Sequence, residues 1–133
     1  MNTISSNNTT KQLRYSREEL NEFEAIIKDK LAKAKAELAQ LKDAIIKTSM
    51  ETGNHDGNFS TMEDGASSFE KEYLNQMAAR TQKYVTQLEH ALIRIKNGTY
   101  GICVDTGKLI SKERLRVVPH TMHSIEAKRE RMA

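Results

Sequence analysis

Tryptophan is absent from the 133 residues, and there is a single cysteine and a single proline. The lone Cys103 excludes an intrachain disulfide and fits a reducing compartment. With 38% hydrophobic residues, and aromatics at only 5%, there is little material for a wide globular core, so a single domain with long exposed helices is expected. No apolar run approaches the roughly 20 residues that cross a bilayer, and the N-terminal Met1-Asn2-Thr3-Ile4-Ser5-Ser6 stretch is too polar for a signal core. A cytoplasmic protein without membrane contact is expected. A formal net charge of +3, from 21 basic against 18 acidic residues, is too balanced for strong non-specific DNA binding. A protein partner fits better. No glycine-rich phosphate loop, metalloprotease helix or recognisable nucleophile triad is present, so no enzyme is implied.

What the chain does contain is helical periodicity. Residues 1–14 are polar with almost nothing to bury and read as a disordered tail, with order beginning at Ser16. Ser16-Arg17-Glu18-Glu19 has the pattern of a capping box, in which serine and glutamate satisfy each other's backbone amides. Ile27, Leu31, Ala34, Leu38, Leu41 and Ile45 then alternate at steps of four and three, the spacing of a coiled-coil seam. This helix is expected to run to about Thr48. A turn is expected over Glu51–Ser60, which holds two glycines and several Asn, Asp and Ser side chains. A second helix over about Thr61–Lys96 carries Val85, Leu88, Leu92 and Ile95, with Phe69, Tyr73, Met77 and Tyr84 extending that face toward the turn. Such stripes are buried only against each other, so the fold class is mostly α: a long antiparallel helical hairpin over 15–96 with its tip near 49–66.

Asn97-Gly98 ends the second helix, and a compact segment over 97–133 follows. Short extended pieces flank Val104-Asp105-Thr106-Gly107, which suggests a small hairpin or knuckle. A helical turn at Ser111–Leu115, an extended Val118 before Pro119, and a short solvated helix from about Thr121 to the end complete the reading.

The run from Asn97 to Ile110, then Glu113-Arg114-Leu115 and Pro119 ahead of a short basic helix, resembles the zinc-finger segment of the DksA/TraR family. The hairpin before it resembles that family's coiled coil, so the likeness spans about residues 16–131. It implies a regulator that binds RNA polymerase directly, inserting the coiled-coil tip into the secondary channel and altering initiation without touching promoter DNA. The family's tip pattern, an aspartate, two residues, a second aspartate, one residue and an alanine, corresponds here to Thr61-Met62-Glu63-Asp64-Gly65-Ala66. The resemblance therefore points to Asp64 and Ala66, with Thr61 and Glu63 beside them, as the residues facing the polymerase active site. Asp64 also suits the first turn of a helix, where a carboxylate meets the positive dipole end.

Where the family's zinc finger has two cysteine pairs, this chain has Cys103, Thr106, Ser124 and Ala127. One thiolate remains, and alanine cannot coordinate, so no cofactor and no zinc are expected. His120 and His123 would raise the ligands to three at most, with no evident fourth. A metal-free knuckle would have to be held by Tyr100, Ile102, Leu109, Ile110, Leu115, Val117 and Val118, with Cys103 as a small buried hydrophobe. The positions matching the family's ppGpp site are Tyr84, Gln87, Val118 and Lys128. Only Lys128 is cationic, which argues against alarmone dependence. Lys128 and Arg129 are the candidate polymerase or alarmone contacts, although basic residues on a last helix also serve simply to solvate it.

Two other functions fit some residues. A coiled-coil adaptor that docks on another protein is favoured by Thr61 standing where the family has an aspartate. A transcript-cleavage factor is suggested by Glu63-Asp64, but adjacent helical residues point about 100° apart and make a poor two-ligand clamp.

Overall fold

A computed structural model describes residues 13–53 and 61–132, with no side-chain detail for 51–53 and 61–67. The expected disorder of 1–14 therefore lies outside the described residues up to Gln12, as does the turn over 54–60.

The described chain is mostly helical. Helix α1 spans Arg17–Gly53, α2 Thr61–Asn97, α3 Lys112–Val117 and α4 Ile125–Met132. α1 starts at the expected capping box: the Glu19 amide donates to Ser16 Oγ at 3.2 Å, and the Ser16 amide donates to Glu19 Oε1 at 2.8 Å. It runs past Thr48 through Glu51-Thr52-Gly53, which the sequence reading had given to the turn. Glycine weakens a helix interior but costs little in a last turn, so Gly53 does not stop α1 early.

Packing divides the described chain into two compact units, one within residues 31–86 and the other joining residues 13–30 with residues 87–132. In the 31–86 unit the buried residues are Leu31, Ala34, Leu38 and Thr48 on α1, and Thr81 and Val85 on α2. The seam expected on α1 is thus present, with Leu41 and Ile45 half-buried. On α2 the expected face fails at its tip end. Phe69 is 80% exposed and Tyr73 61% exposed. Steps of four each overshoot a full turn by about 40°, so going back from Met77, which is half-buried as expected, Tyr73 and then Phe69 rotate off the seam, and Leu74 and Ala78 are the half-buried residues beside Met77.

In the other unit Leu20, Phe23 and Ile27 of α1 and Leu88, Ala91 and Ile95 of α2 are buried with Tyr100, Cys103, Ile110, Leu115 and Pro119 from the segment beyond. Full burial of a side chain of this size contributes about 1.5–3 kcal/mol, so this cluster is the main apolar anchor of the C-terminal segment. Tyr15, read as lying just outside the ordered region, is buried here. Its hydroxyl donates to the Ile110 carbonyl, and its ring meets Phe23 edge-on with centroids 5.7 Å apart. The Tyr100 ring packs on Phe23 at 5.5 Å, and its hydroxyl donates to the Pro119 carbonyl at 2.8 Å. Two ion pairs, Lys112 to Glu19 and Arg116 to Glu22, fasten α3 against the start of α1. Of the residues expected to hold the knuckle, Val117 is 76% exposed, because a six-residue helix has one buried face and Leu115 occupies it.

Candidate functional site

The tip residues Thr61, Glu63, Asp64 and Ala66 fall in the first six residues of α2, whose backbone is helical from Thr61. Asp64 thus sits in a helical first turn. Their side chains lie outside the described residues.

The finger segment is described in full. Ile102 and Leu109 form an isolated antiparallel bridge, the Cys103 amide donates to the Lys108 carbonyl, and the Gly107 amide closes the turn on the Cys103 carbonyl, both at 2.8 Å. This is the expected knuckle, and it brings the four family zinc positions together in two linked pairs. The Ser124 amide donates to Cys103 Sγ at 3.4 Å, joining the first pair to the second. Ser124 Oγ accepts from the Ala127 amide at 3.1 Å and so caps α4. Thr106 Oγ1 accepts from the Lys108 amide at 3.2 Å.

Donor chemistry at these positions does not fit zinc. One sulfur remains, both hydroxyls already serve the backbone, and a methyl group stands fourth. His123 does not turn toward Cys103; its Nδ1 lies 2.7 Å from Asp105 Oδ2. Among the described residues no group of three His, Cys, Asp or Glu side chains is placed to hold a metal ion. Burial raises the Cys103 thiol, but the Ser124 amide, the Thr106 hydroxyl and the amides of Thr106 and Asp105 outweigh it and bring it down to about 6. Amide donors that suit a thiolate are thus retained around a sulfur without partner ligands.

Residues 98–131 match the prokaryotic dksA/traR C4-type zinc finger family. Beyond the finger, the chain is 33% identical over 98 residues to the RNA polymerase-binding transcription factor DksA of Caulobacter vibrioides, covering 70% of this chain and 69% of that protein. The chain belongs to the DksA/TraR family. It is also 39% identical over 46 residues to general stress protein 16O of Bacillus subtilis, a match covering 35% of this chain and 28% of that one. The solved structure of transcription factor DksA2 from Pseudomonas aeruginosa shares the fold, with a TM-score of 0.73 at 18% identity, over 86% of this chain and 83% of that one. The fold is therefore that of DksA, and the finger has one cysteine where a C4-type finger has four.

A cavity of about 420 Å³ opens beside the finger. Of the positions aligned with the family's alarmone contacts, Gln87, Val118 and Lys128 line it and Tyr84 does not. Arg114 and Arg131 line it as well, which the sequence reading missed. Both are already engaged: Arg114 Nε donates to the His123 carbonyl at 2.8 Å, and Arg131 pairs with Asp105 at 3.0 Å. Lys128 and Arg129 are exposed on α4. Burial, followed by Arg94 and Arg114, lowers the His120 pKa, so its charged form is disfavoured in this wall. The carboxyl of Asp105 is held below its ordinary value by the hydrogen bond from His123 and then that from Arg131. Nothing in the sequence marked Asp105, since a turn aspartate ordinarily serves its own backbone.

Proposed function

We propose that this chain is a regulator of transcription that binds RNA polymerase directly, placing the tip of its hairpin in the secondary channel and modulating initiation without contacting promoter DNA. The observation that carries this reading is the 33% identity over 98 residues to a protein whose name is RNA polymerase-binding transcription factor DksA. Two 37-residue helices support it, since each is about 55 Å long at 1.5 Å per residue, long enough to carry a small tip deep into a channel. Asp64 is the residue assigned to the active-site end. A carboxylate there would meet magnesium, phosphate and basic side chains, and Ala66 leaves room for close approach. Function is binding alone, with no chemistry of the chain's own, in the cytoplasm.

An alarmone is not required in this reading. Of the four aligned positions only Lys128 is cationic, and Arg114 and Arg131 nearby are committed to internal partners. Thr61, in place of an aspartate, favours a second reading in which the same hairpin is an adaptor for another protein. Capture of core RNA polymerase by the purified protein separates the two. The expected result is binding that a second secondary-channel factor displaces; a folded protein that captures no polymerase would favour the adaptor.

A further inference from the structure

The family's finger is described as C4-type, yet this finger is folded around one cysteine. A metal ion in such a finger does one mechanical job: it ties the turn that carries the first pair to the segment that carries the second. The structure contains another group positioned for that job. Asp105 lies within the turn between Cys103 and Thr106. Its Oδ2 is 2.7 Å from His123 Nδ1, in the segment that leads into α4, and its Oδ1 is 3.0 Å from an Arg131 nitrogen in the last turn of α4. These contacts span 18 and 26 residues of chain, and they straddle Ser124 and Ala127.

The backbone reinforces the same connection. The Val104 amide donates to the Met122 carbonyl at 2.9 Å, and the Ser124 amide donates to Cys103 Sγ. Arg114 Nε donates to the His123 carbonyl at 2.8 Å, which fixes the segment bearing the imidazole. A carboxylate with two oxygens thus joins three places along the chain: the turn, the approach to α4 and the end of α4.

We propose that this finger closes without metal and that the Asp105 carboxylate, gripping His123 and Arg131, takes over the joining role of the absent ion. Such a latch is far weaker than four metal bonds, because the groups are partly open to water: side-chain exposure is 31% for Asp105, 28% for His123 and 59% for Arg131. The terminal helix is therefore the part of its unit that opens most readily, while the buried Tyr100, Ile110 and Leu115 keep the knuckle itself in place.

The test uses the full-length protein, purified without added metal. Metal content, chelator sensitivity and amide hydrogen exchange are measured on the native chain, then exchange on Asp105→Asn, Arg131→Met and the control Glu130→Gln, a carboxylate in the last turn of α4, outside the latch and away from the positive end of the helix dipole. Well under one zinc per chain is expected, with an unfolding midpoint unmoved by EDTA. Exchange over 122–132 should quicken about three- to ten-fold in both latch variants and not quicken in the control, the size expected for losing one or two partly exposed polar contacts. Stoichiometric zinc in the folded protein would overturn the proposal. So would α4 exchange that Asp105→Asn and Arg131→Met leave at the native rate, or that Glu130→Gln accelerates equally.

Discussion

Gly101 is the position where one methyl group should cost most. Its φ is +83°, a region that side-chain-bearing residues enter only at about 1–2 kcal/mol. A Cβ there would lie 2.6 Å from Tyr15 Cδ2 and 2.7 Å from Cε2, so the ring must move. Moving it strains the edge-on contact with Phe23 and the buried hydrogen bond from the Tyr15 hydroxyl to the Ile110 carbonyl. A buried carbonyl left without its donor costs roughly 1–3 kcal/mol, and the aromatic contact is worth about 0.5–1.5 kcal/mol. Gly101→Ala should therefore destabilise the protein by roughly 3–5 kcal/mol. Gly98→Ala is the internal control. Its φ of +80° is nearly the same, but the nearest atom to its added Cβ is Arg14 Nη1 at 3.7 Å, an ordinary contact. It should cost only the backbone share, about 1–2 kcal/mol. Urea unfolding followed by far-ultraviolet circular dichroism gives both values. In a Tyr15→Ala background the excess cost of Gly101→Ala should largely vanish, because no ring remains to be displaced. Equal costs for the two glycine variants, or an excess that survives removal of Tyr15, would refute the packing described around Tyr15.

Three further outcomes follow from the same unit. Tyr100→Phe keeps the ring against Phe23 but deprives the Pro119 carbonyl of its donor, so it should cost about 1–2 kcal/mol in urea unfolding; a change below 0.3 kcal/mol, roughly the limit of such comparisons, would contradict the bond. Burial, the first cause, raises the Tyr100 phenol well above its ordinary value. Its stabilising share is complete below the unfolded phenol pKa near 10 and is lost as pH rises through the folded one, so absorbance at about 295 nm should show part of the tyrosine titration delayed until alkaline unfolding. Finally, the triple variant Thr106→Cys, Ser124→Cys, Ala127→Cys should gain about one tightly bound zinc per chain, or a tetrahedral cobalt spectrum. Its failure to bind would mean that the four positions do not converge as the Cys103 to Ser124 contact indicates.

Periodicity carried much of the architecture. A strict alternation of three and four steps marked Ile27, Leu31, Ala34 and Leu38, because an amphipathic helix must repeat its apolar residues to keep one face dry. The same logic misplaced Phe69 and Tyr73, where two consecutive steps of four walk off the face, and overlooked Thr81 and Thr48, buried polar residues that no apolar count registers. Thr48 covers its hydroxyl on the Ala44 carbonyl, one turn back. Tyr15 was invisible for another reason. Its hydrogen-bond partner lies 95 residues along the chain, and one aromatic in a polar stretch has no period. The family positions at 103, 106, 124 and 127 were legible as one cysteine and three vacancies in a pattern, whereas the Asp105 contacts that bridge them were not, since polar partners 18 and 26 residues apart are unremarkable until the fold brings them together. Val117 was equally undecidable: two apolar residues two positions apart in so short a helix, Leu115 and Val117, do not say which faces inward.

The most direct measurement is equilibrium binding of the folded, full-length chain to bacterial core RNA polymerase, with promoter-specific transcription followed in parallel for the native protein and for Asp64→Asn. Saturable binding that a secondary-channel factor displaces is expected, with Asp64→Asn retaining affinity while losing most of the effect on initiation. A folded protein that does not bind the polymerase, or one whose Asp64→Asn variant regulates as well as the native chain, would contradict it.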